Sequence, residues 1–381
     1  MAFPDKPIAH LLGSSGPVHA LAYSAPYSGS EGKFVLAGSA DRSIRLYNPQ
    51  PNTTTNHHHH PSSSSHLSKK SAAAAAPPAV PEGHLVQTYA AHGYEVLSLR
   101  VAADNARFAS AGGDRAVFLW DVASAQTLRR FGSSGSGVSA GGAQGGHTAR
   151  VNAVCFAGDG DALVVSGGLD ASVRVWDARS RAPRPVQVLA EARDAVSAVV
   201  ARGPEIVAGS VDGCVRTYDV RAGRCVTDSL GPSVTSLCLA ENGKAVLVSG
   251  LDSKLRLLDR ETCEYRQTYA DPGRKNESLR VQSILSREDQ YVITGDEMTG
   301  KPGQNAEGRV WAWDFLTGEL KATLRVPWGP TGLELKKIIG KDGKEKERTN
   351  VISCLAWREG GKEDQFCVSG TSGIVTVYGC S

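Results

Sequence analysis

A chain of 381 residues with 42 Lys and Arg against 39 Asp and Glu carries a net charge of +3. A balance that close to neutral does not predict nucleic-acid binding by the whole molecule and leaves only a local basic face as a route to RNA. Hydrophobic residues at 41% and charged residues at 21% are the mixture of a soluble globular protein, and no apolar run approaches the ~18 residues that cross a membrane.

Taken in chain order, residues 8–12 form a short apolar segment that stands alone, ahead of a repeating pattern. Each repeat opens with apolar residues at i, i+3 and i+5. It continues with an apolar run ending in a small residue and an Asp, and it closes on an aromatic six residues after that Asp. Residues 15–49 supply Val18, Leu21 and Tyr23, then Asp41 and Tyr47. Residues 50–83 break the pattern with prolines, the histidines His57 to His60, the serines Ser62 to Ser65 and the alanines Ala72 to Ala76. That composition cannot bury a core and is expected to be disordered. The pattern resumes over residues 84–131 with Val96, Leu99 and Val101, then Ser110-Ala111-Gly112-Gly113-Asp114 and Leu119-Trp120-Asp121. A Gly/Ser tract over residues 132–146 is a second expected insertion. Residues 147–187 carry Val151, Val154 and Phe156, then Ser166-Gly167-Gly168-Leu169-Asp170 and Val175-Trp176-Asp177.

Weaker copies follow. Residues 192–226 have Val196, Val199 and Ala201 with Asp212 and Tyr218, and residues 230–268 have Val234, Leu237 and Leu239 with Asp252 and Leu258. Residues 278–324 keep Val281, Ile284 and Ser286, but residues 297–308 intrude between their second and third strands. A Lys-rich insertion over residues 329–349 precedes the last unit, residues 350–381, which has Ile352, Leu355 and Trp357 and a third strand at Ile374 to Tyr378. Strict alternation, as in Val173-Arg174-Val175-Trp176, marks strands with two different faces.

Seven units of this kind, with a period of about 40 residues where no insertion intervenes, predict an all-β chain. They predict one domain, residues 7–381, built as a closed seven-bladed β-propeller. The last unit lacks a fourth strand, and residues 7–13 are a strand without a blade. Joining the two closes the ring and removes an open sheet edge, which is otherwise an aggregation hazard. The eight cysteines include no Cys-x-x-Cys pair, and several sit in apolar runs such as Val154-Cys155-Phe156. Buried free thiols are expected, which fits a reducing compartment. No apolar segment of secretory type opens the chain.

The Trp-Asp endings and the turn Asp resemble the WD40 family. In that family His, Ser, Asp and Trp form a buried hydrogen-bonded chain, a role the resemblance gives here to His92, Ser110, Asp114 and Trp120 and to His147, Ser166, Asp170 and Trp176. A buried Trp N–H needs an acceptor, and an unsatisfied buried Asp costs roughly 1–3 kcal/mol. A Ser, His and Asp also suggest a hydrolase triad, but the set recurs at the repeat period and neither serine lies in a Gly-x-Ser-x-Gly elbow. No enzyme, cofactor or metal is therefore expected. His57 to His60 with His66 lack a carboxylate or thiol to fix a metal geometry. The cluster Lys336, Lys337, Lys341, Lys344, Lys346 and Arg348 is diluted by Glu334, Asp342, Glu345 and Glu347 and reads as a solvated loop. Arg45, Arg174, Arg216 and Arg256 share one repeat position and read as blade-edge residues with snorkelling stems.

Within the WD40 proteins, residues 112–117, 119–124, 189–194 and 255–259 and two longer stretches resemble the mitogen-activated protein kinase organizer group. The longer stretches are His92-Gly93-Tyr94-Glu95-Val96-Leu97 and Glu205-Ile206-Val207-Ala208-Gly209-Ser210-Val211-Asp212-Gly213. The likeness covers most of residues 15–325. It implies a non-enzymatic scaffold that gathers kinase-cascade components and also associates with the spliceosome in pre-mRNA splicing. It further implies a monomeric subunit of larger complexes, present in nucleus and cytoplasm, with direct RNA contact left open. The face carrying the Asp turns and the connections into each first strand is the expected contact surface. Its candidates are Arg42, Tyr94, Arg115, Arg150, Arg193, Asp194 and Lys254, since exposed Tyr and Arg are favoured interface anchors. The alternative is a substrate receptor of a cullin-type ubiquitin ligase. Trp176-Asp177-Ala178-Arg179 matches the Trp-Asp-x-Arg box of propellers that dock on its adaptor, and Tyr218-Asp219-Val220-Arg221 is a near match.

Overall fold

The computed structural model describes residues 3–26, 32–50, 80–132, 145–182, 184–297, 307–330, 338–339, 345–346, 350–360 and 363–380. Among the described residues there are seven four-stranded antiparallel sheets and one two-stranded ladder. Blade 1 holds Val18–Tyr23, Val35–Ser39, Ser43–Asn48 and His84–Ala90. Blade 2 holds Val96–Val101, Arg107–Gly112, Val117–Asp121 and Thr127–Phe131. Blade 3 runs Val151–Ala157, Leu163–Gly168, Val173–Asp177 and Gln187–Leu189, and blade 4 runs Val196–Arg202, Glu205–Ser210, Cys214–Asp219 and Arg224–Ser229. Blade 5 contains Val234–Leu239, Ala245–Gly250, Leu255–Asp259 and Tyr265–Tyr269. Blade 6 contains Ser283–Leu285, Tyr291–Gly295, Gly308–Asp314 and Leu320–Val326.

Blade 7 is assembled from both ends of the chain. Ile352–Trp357, Gln365–Gly370 and Val375–Gly379 are joined by Lys6–Leu11 as the outermost strand. Its register runs from Lys6 opposite Gly379 to Leu11 opposite Val375. Phe3 extends the closure by packing edge-on against Tyr291 of blade 6, with ring centroids 5.3 Å apart, and against Phe366.

One boundary differs from the sequence reading. His84–Ala90 was expected to open the second unit, but it pairs with Ser43–Asn48 and completes blade 1. Its hydrogen bonds are decided by the strand it meets in space, and the intervening insertion hides that neighbour. Residues 51–79 and 133–144, where two insertions were expected to be disordered, lie outside the described residues. The last residues of the first insertion are described, and they are ordered: His10 donates to the carbonyl of Pro81 and accepts from the N–H of Gly83, both at 2.9 Å. The Lys-rich insertion carries a short antiparallel ladder, Ile338–Ile339 with Glu345–Lys346, and its remaining Lys and Arg residues lie outside the described residues.

The alternation along each strand explains how the blades cohere. One face of a blade packs on its predecessor and the other on its successor, so the buried side chains divide into seven clusters, one per seam. The blade 1–blade 2 seam joins Ile44 and Tyr89 to Phe108 and Trp120. The closing seam joins Leu11, Cys354 and Val375 to Val18 and Tyr47. Polar side chains of the innermost strands lace the same seams: Asn152 donates to Val196, Ser197 to Val234, and Ser236 accepts from the N–H of Ser283. Of the cysteines, all free, Cys155, Cys354 and Cys367 are buried, while Cys225, on the outermost strand of blade 4, and Cys263, on the turn leading into that of blade 5, are exposed.

Candidate protein-interaction site

Because the strands of each blade alternate in direction, the turn between the second and third strands lies on the same face as the connection into the next first strand. The Asp turns sit on this upper face. In blade 2 the His92 Nδ1 lies 2.8 Å from the Asp114 carboxylate, its Nε2 lies 2.7 Å from the Ser110 hydroxyl, and the Trp120 indole donates to that hydroxyl at 2.8 Å. Blade 3 repeats the arrangement with His147, Asp170, Ser166 and Trp176 at 2.9, 2.8 and 2.8 Å. An ionised carboxylate only accepts, so Nδ1 carries the proton and the hydroxyl donates to Nε2. Ser110 and Ser166 have no solvent exposure. Neither hydroxyl can meet a substrate, so these two sets are structural.

Blades 1, 4 and 5 satisfy the same Asp by another route. Arg45 pairs with Asp41 at 2.8 Å, Arg216 with Asp212 at 2.7 Å, and Arg256 with Asp252. In blade 3 Arg174 adds to the histidine, 3.6 Å from Asp170. These arginines were expected at the blade edge with solvated heads. They are instead ion-paired inside the turn, because an Asp four residues earlier on the hairpin faces them directly. Burial pushes the Asp212 carboxyl up, but the hydrogen bonds from Arg216, Ser210 and the backbone of Arg193 and Cys214 outweigh it and hold it well below the carboxylate range. Asp114 and Asp170 are likewise held low against their burial, chiefly by His92 and His147.

Four of these turn Asp residues also grip the loop that enters the first strand of their own blade. Asp41 accepts from the N–H of Ser15, Asp114 from Gly93, Asp170 from Thr148 and Asp212 from Arg193. The expected contact residues ride on this scaffold. Tyr94 follows Gly93 and is 66% exposed, an unusual state for so large an apolar ring. Arg150, Arg193 and Asp194 stand on the other entry loops, and Arg42, Arg115 and Lys254 on the Asp turns; all six are exposed. The structure therefore brings the seven to one face, spread around it. Arg42 and Arg115 follow their Asp with φ of 71° and 61°, the left-handed region that Gly213 occupies in blade 4. A side chain there costs roughly 1–2 kcal/mol, offset locally by the Asp cap.

The innermost strands of all seven blades line a central channel of about 240 Å³. Arg280 stands in its wall on the approach to the first strand of blade 6. Sequence reading did not single it out, since it occupies no repeat position.

A family model for the WD domain, G-beta repeat, matches residues 5–48, 83–121 and 142–177. The chain therefore carries WD40 repeats. It is similar to the WD repeat domain-containing protein 83 homolog of Dictyostelium discoideum, 25% identical over 82% of this chain and 86% of that protein. WD repeat domain-containing protein 83 of Rattus norvegicus is 42% identical over 39% of this chain, and the match spans 44% of the rat protein. Autophagy-related protein 16 of Arabidopsis thaliana is 25% identical over 74% of this chain and 47% of its own length.

Proposed function

We propose that this propeller is a non-enzymatic scaffold whose upper face receives partner proteins. The observation that carries the reading is the placement of Tyr94, Arg42, Arg115, Arg150, Arg193, Asp194 and Lys254. All are exposed on the one face whose loops are pinned by buried carboxylates. Rigid loops holding exposed aromatic and Arg side chains lose little freedom on binding. Guided by the likeness to the mitogen-activated protein kinase organizer group, we assign kinase-cascade and spliceosome components as the partners, met in cytoplasm and nucleus. The test is affinity purification of the tagged chain from nuclear and cytosolic extracts, with and without ribonuclease, followed by mass spectrometry. Splicing factors retained after ribonuclease support the splicing assignment, and kinases without splicing factors support the signalling one. Charge reversal at Arg115, Arg150 and Arg193 together is expected to abolish capture, and unchanged capture overturns the assignment of this face.

A second reading places a cullin-ligase adaptor on the opposite face. Its support is Arg179, which is exposed while Asp177 caps the backbone N–H groups of Arg179 and Ser180 at 2.8 and 3.1 Å. Under this reading Arg179→Ala abolishes adaptor capture and leaves upper-face partners bound.

A further inference from the structure

We propose that the lower half of the seam between blades 1 and 2 is a docking pocket for an extended segment of a partner protein, one that inserts apolar side chains and sets a carboxylate beside Lys33. The site lies at the strand ends opposite the Asp turns and does not depend on the upper face. It is a cavity of about 540 Å³, inside the ~300–1,000 Å³ range of ligand pockets. Leu36 and Leu46 of blade 1 and Val101 and Val122 of blade 2 supply apolar walls, and Phe34 and Val86 complete them. Phe34 is 38% and Val86 45% exposed.

The repeat shows what normally closes such a gap. Counted back along the second strand from the residue opposite the start of the first, Phe34 takes the place of Arg107 in blade 2 and Glu205 in blade 4. Arg107 donates across its seam to the carbonyl of Gly160 in blade 3 at 3.4 Å, and Glu205 pairs with Arg260 of blade 5. Phe34 makes no ring contact among the described residues and borders the cavity instead. Two bridges keep the blades at this spacing. The Asn105 side chain exchanges two hydrogen bonds with the backbone of Ala25, both at 2.7 Å, and the Tyr89 hydroxyl donates to the carbonyl of Val122 at 2.9 Å. Ala25, Asn105 and Val122 all line the cavity, so it is formed before a ligand arrives and little ordering cost remains.

The lining selects the occupant. Lys33 is its only charged residue; it is exposed and has no carboxylate partner among the described residues. An apolar hollow beside one unpaired ammonium is complementary to apolar side chains next to an acid. Val86 and Gln87 belong to His84–Ala90, the outermost strand of blade 1, whose outer edge pairs with no strand among the described residues. An extended chain can add to such an edge, and its alternate side chains share one face. That continuity of open edge and cavity favours a protein segment over a free small acid.

The probe is the blocked peptide Gly-Glu-Leu-Ser-Leu-Glu-Gly, titrated into the full chain by calorimetry. Its leucines share one face when extended, and an acid stands on either side of them, so either chain direction is served. The expected result is one-to-one binding, weakened about ten-fold or more when both leucines become serine and about two- to five-fold when both glutamates become glutamine. Val86→Gln, with its melting temperature unchanged, is expected to weaken the peptide several-fold, and Lys33→Gln to erase the difference between the glutamate and glutamine peptides. Absent binding, equal binding of the serine peptide, full affinity in Val86→Gln or a glutamate preference that survives Lys33→Gln each overturns the proposal. Displacement of the peptide by equimolar hexanoate assigns the cavity to small apolar acids and overturns the protein claim. Self-association of the chain that is lost in Val86→Gln assigns it to a second copy, and peptide binding gained only when residues 51–79 are replaced by a short Gly/Ser linker assigns it to the chain's own insertion; either outcome overturns the proposal. Charge reversal at Arg115, Arg150 and Arg193 leaves the peptide bound whatever it does to upper-face capture, so the two assignments fail separately.

Discussion

Replacing Ser166 by Ala isolates what the polar chain of blade 3 contributes. The hydroxyl accepts from the Trp176 indole at 2.8 Å and donates to the His147 imidazole at 2.8 Å, and both partners are less than a tenth exposed. Its loss leaves one buried donor and one buried acceptor without partners. Each costs about 1–3 kcal/mol, so about 2–6 kcal/mol is expected, a large part of the ~5–15 kcal/mol that holds a domain folded. Ser39 occupies the same position in blade 1, where its hydroxyl meets only backbone: the carbonyls of Gly16 and Pro17 and the N–H of Asp41. The Pro17 carbonyl keeps its bond from Ala40. Ser39→Ala is therefore expected to cost about 1 kcal/mol, one ordinary hydrogen bond. Urea unfolding followed by tryptophan fluorescence measures both. A Ser39→Ala cost equal to or above that of Ser166→Ala, or a Ser166→Ala cost under about 0.5 kcal/mol, would refute the assignment of a buried, fully used hydroxyl.

Deleting residues 1–13 removes a whole strand of blade 7 with Leu11, Ala9 and Phe3, and is expected to lower the melting temperature of the entire domain and to promote self-association through the exposed edge of Val375–Gly379; calorimetry and sedimentation read both, and an unchanged melt contradicts the closure. Arg115→Gly relieves a left-handed residue at φ 61°; stability is expected to hold or rise by up to about 1 kcal/mol while partner capture weakens, and a destabilised variant would show that the Arg115 side chain supports the turn. The turn carboxylates are held below their unfolded pKa of about 4, so their stabilisation is complete above that value and drains away as pH falls through the folded pKa. The urea midpoint is expected to fall steadily below about pH 4. Asp170→Asn should start lower and slope less, and a parallel slope would show that Asp170 is not one of the groups responsible.

Much of the ring was legible because its period is covalent. Val18, Val96, Val151, Val196, Val234 and Ile352 each mark the start of an innermost strand and are each essentially unexposed. The His, Ser, Asp and Trp sets were legible because a buried indole and a turn Asp both demand partners, and only those residues recur beside them. The ownership of His84–Ala90 was not, since a strand's neighbour is a fact of space. The order of blades 2 to 6, where the outer strand follows the third strand along the chain, was the available signal. The ion pairs of Arg45, Arg216 and Arg256 were also within reach from their constant four-residue spacing to Asp. Arg280 had no such trace, because its partner Asn152 lies 128 residues away across the channel.

The strand that closes the ring is bonded on both of its edges. Lys6–Leu11 pairs with Val375–Gly379 on one side, while His10 exchanges two backbone hydrogen bonds with residues 81–83 on the other. An open array of repeats can fray independently from each end. Here a local opening at the junction must part the last blade from the segment that leads into the outer strand of the first. The amides of His10, Gly83 and the neighbouring strand of blade 7 therefore belong to one cooperative unit, and their slow hydrogen exchange should share a single free energy of opening.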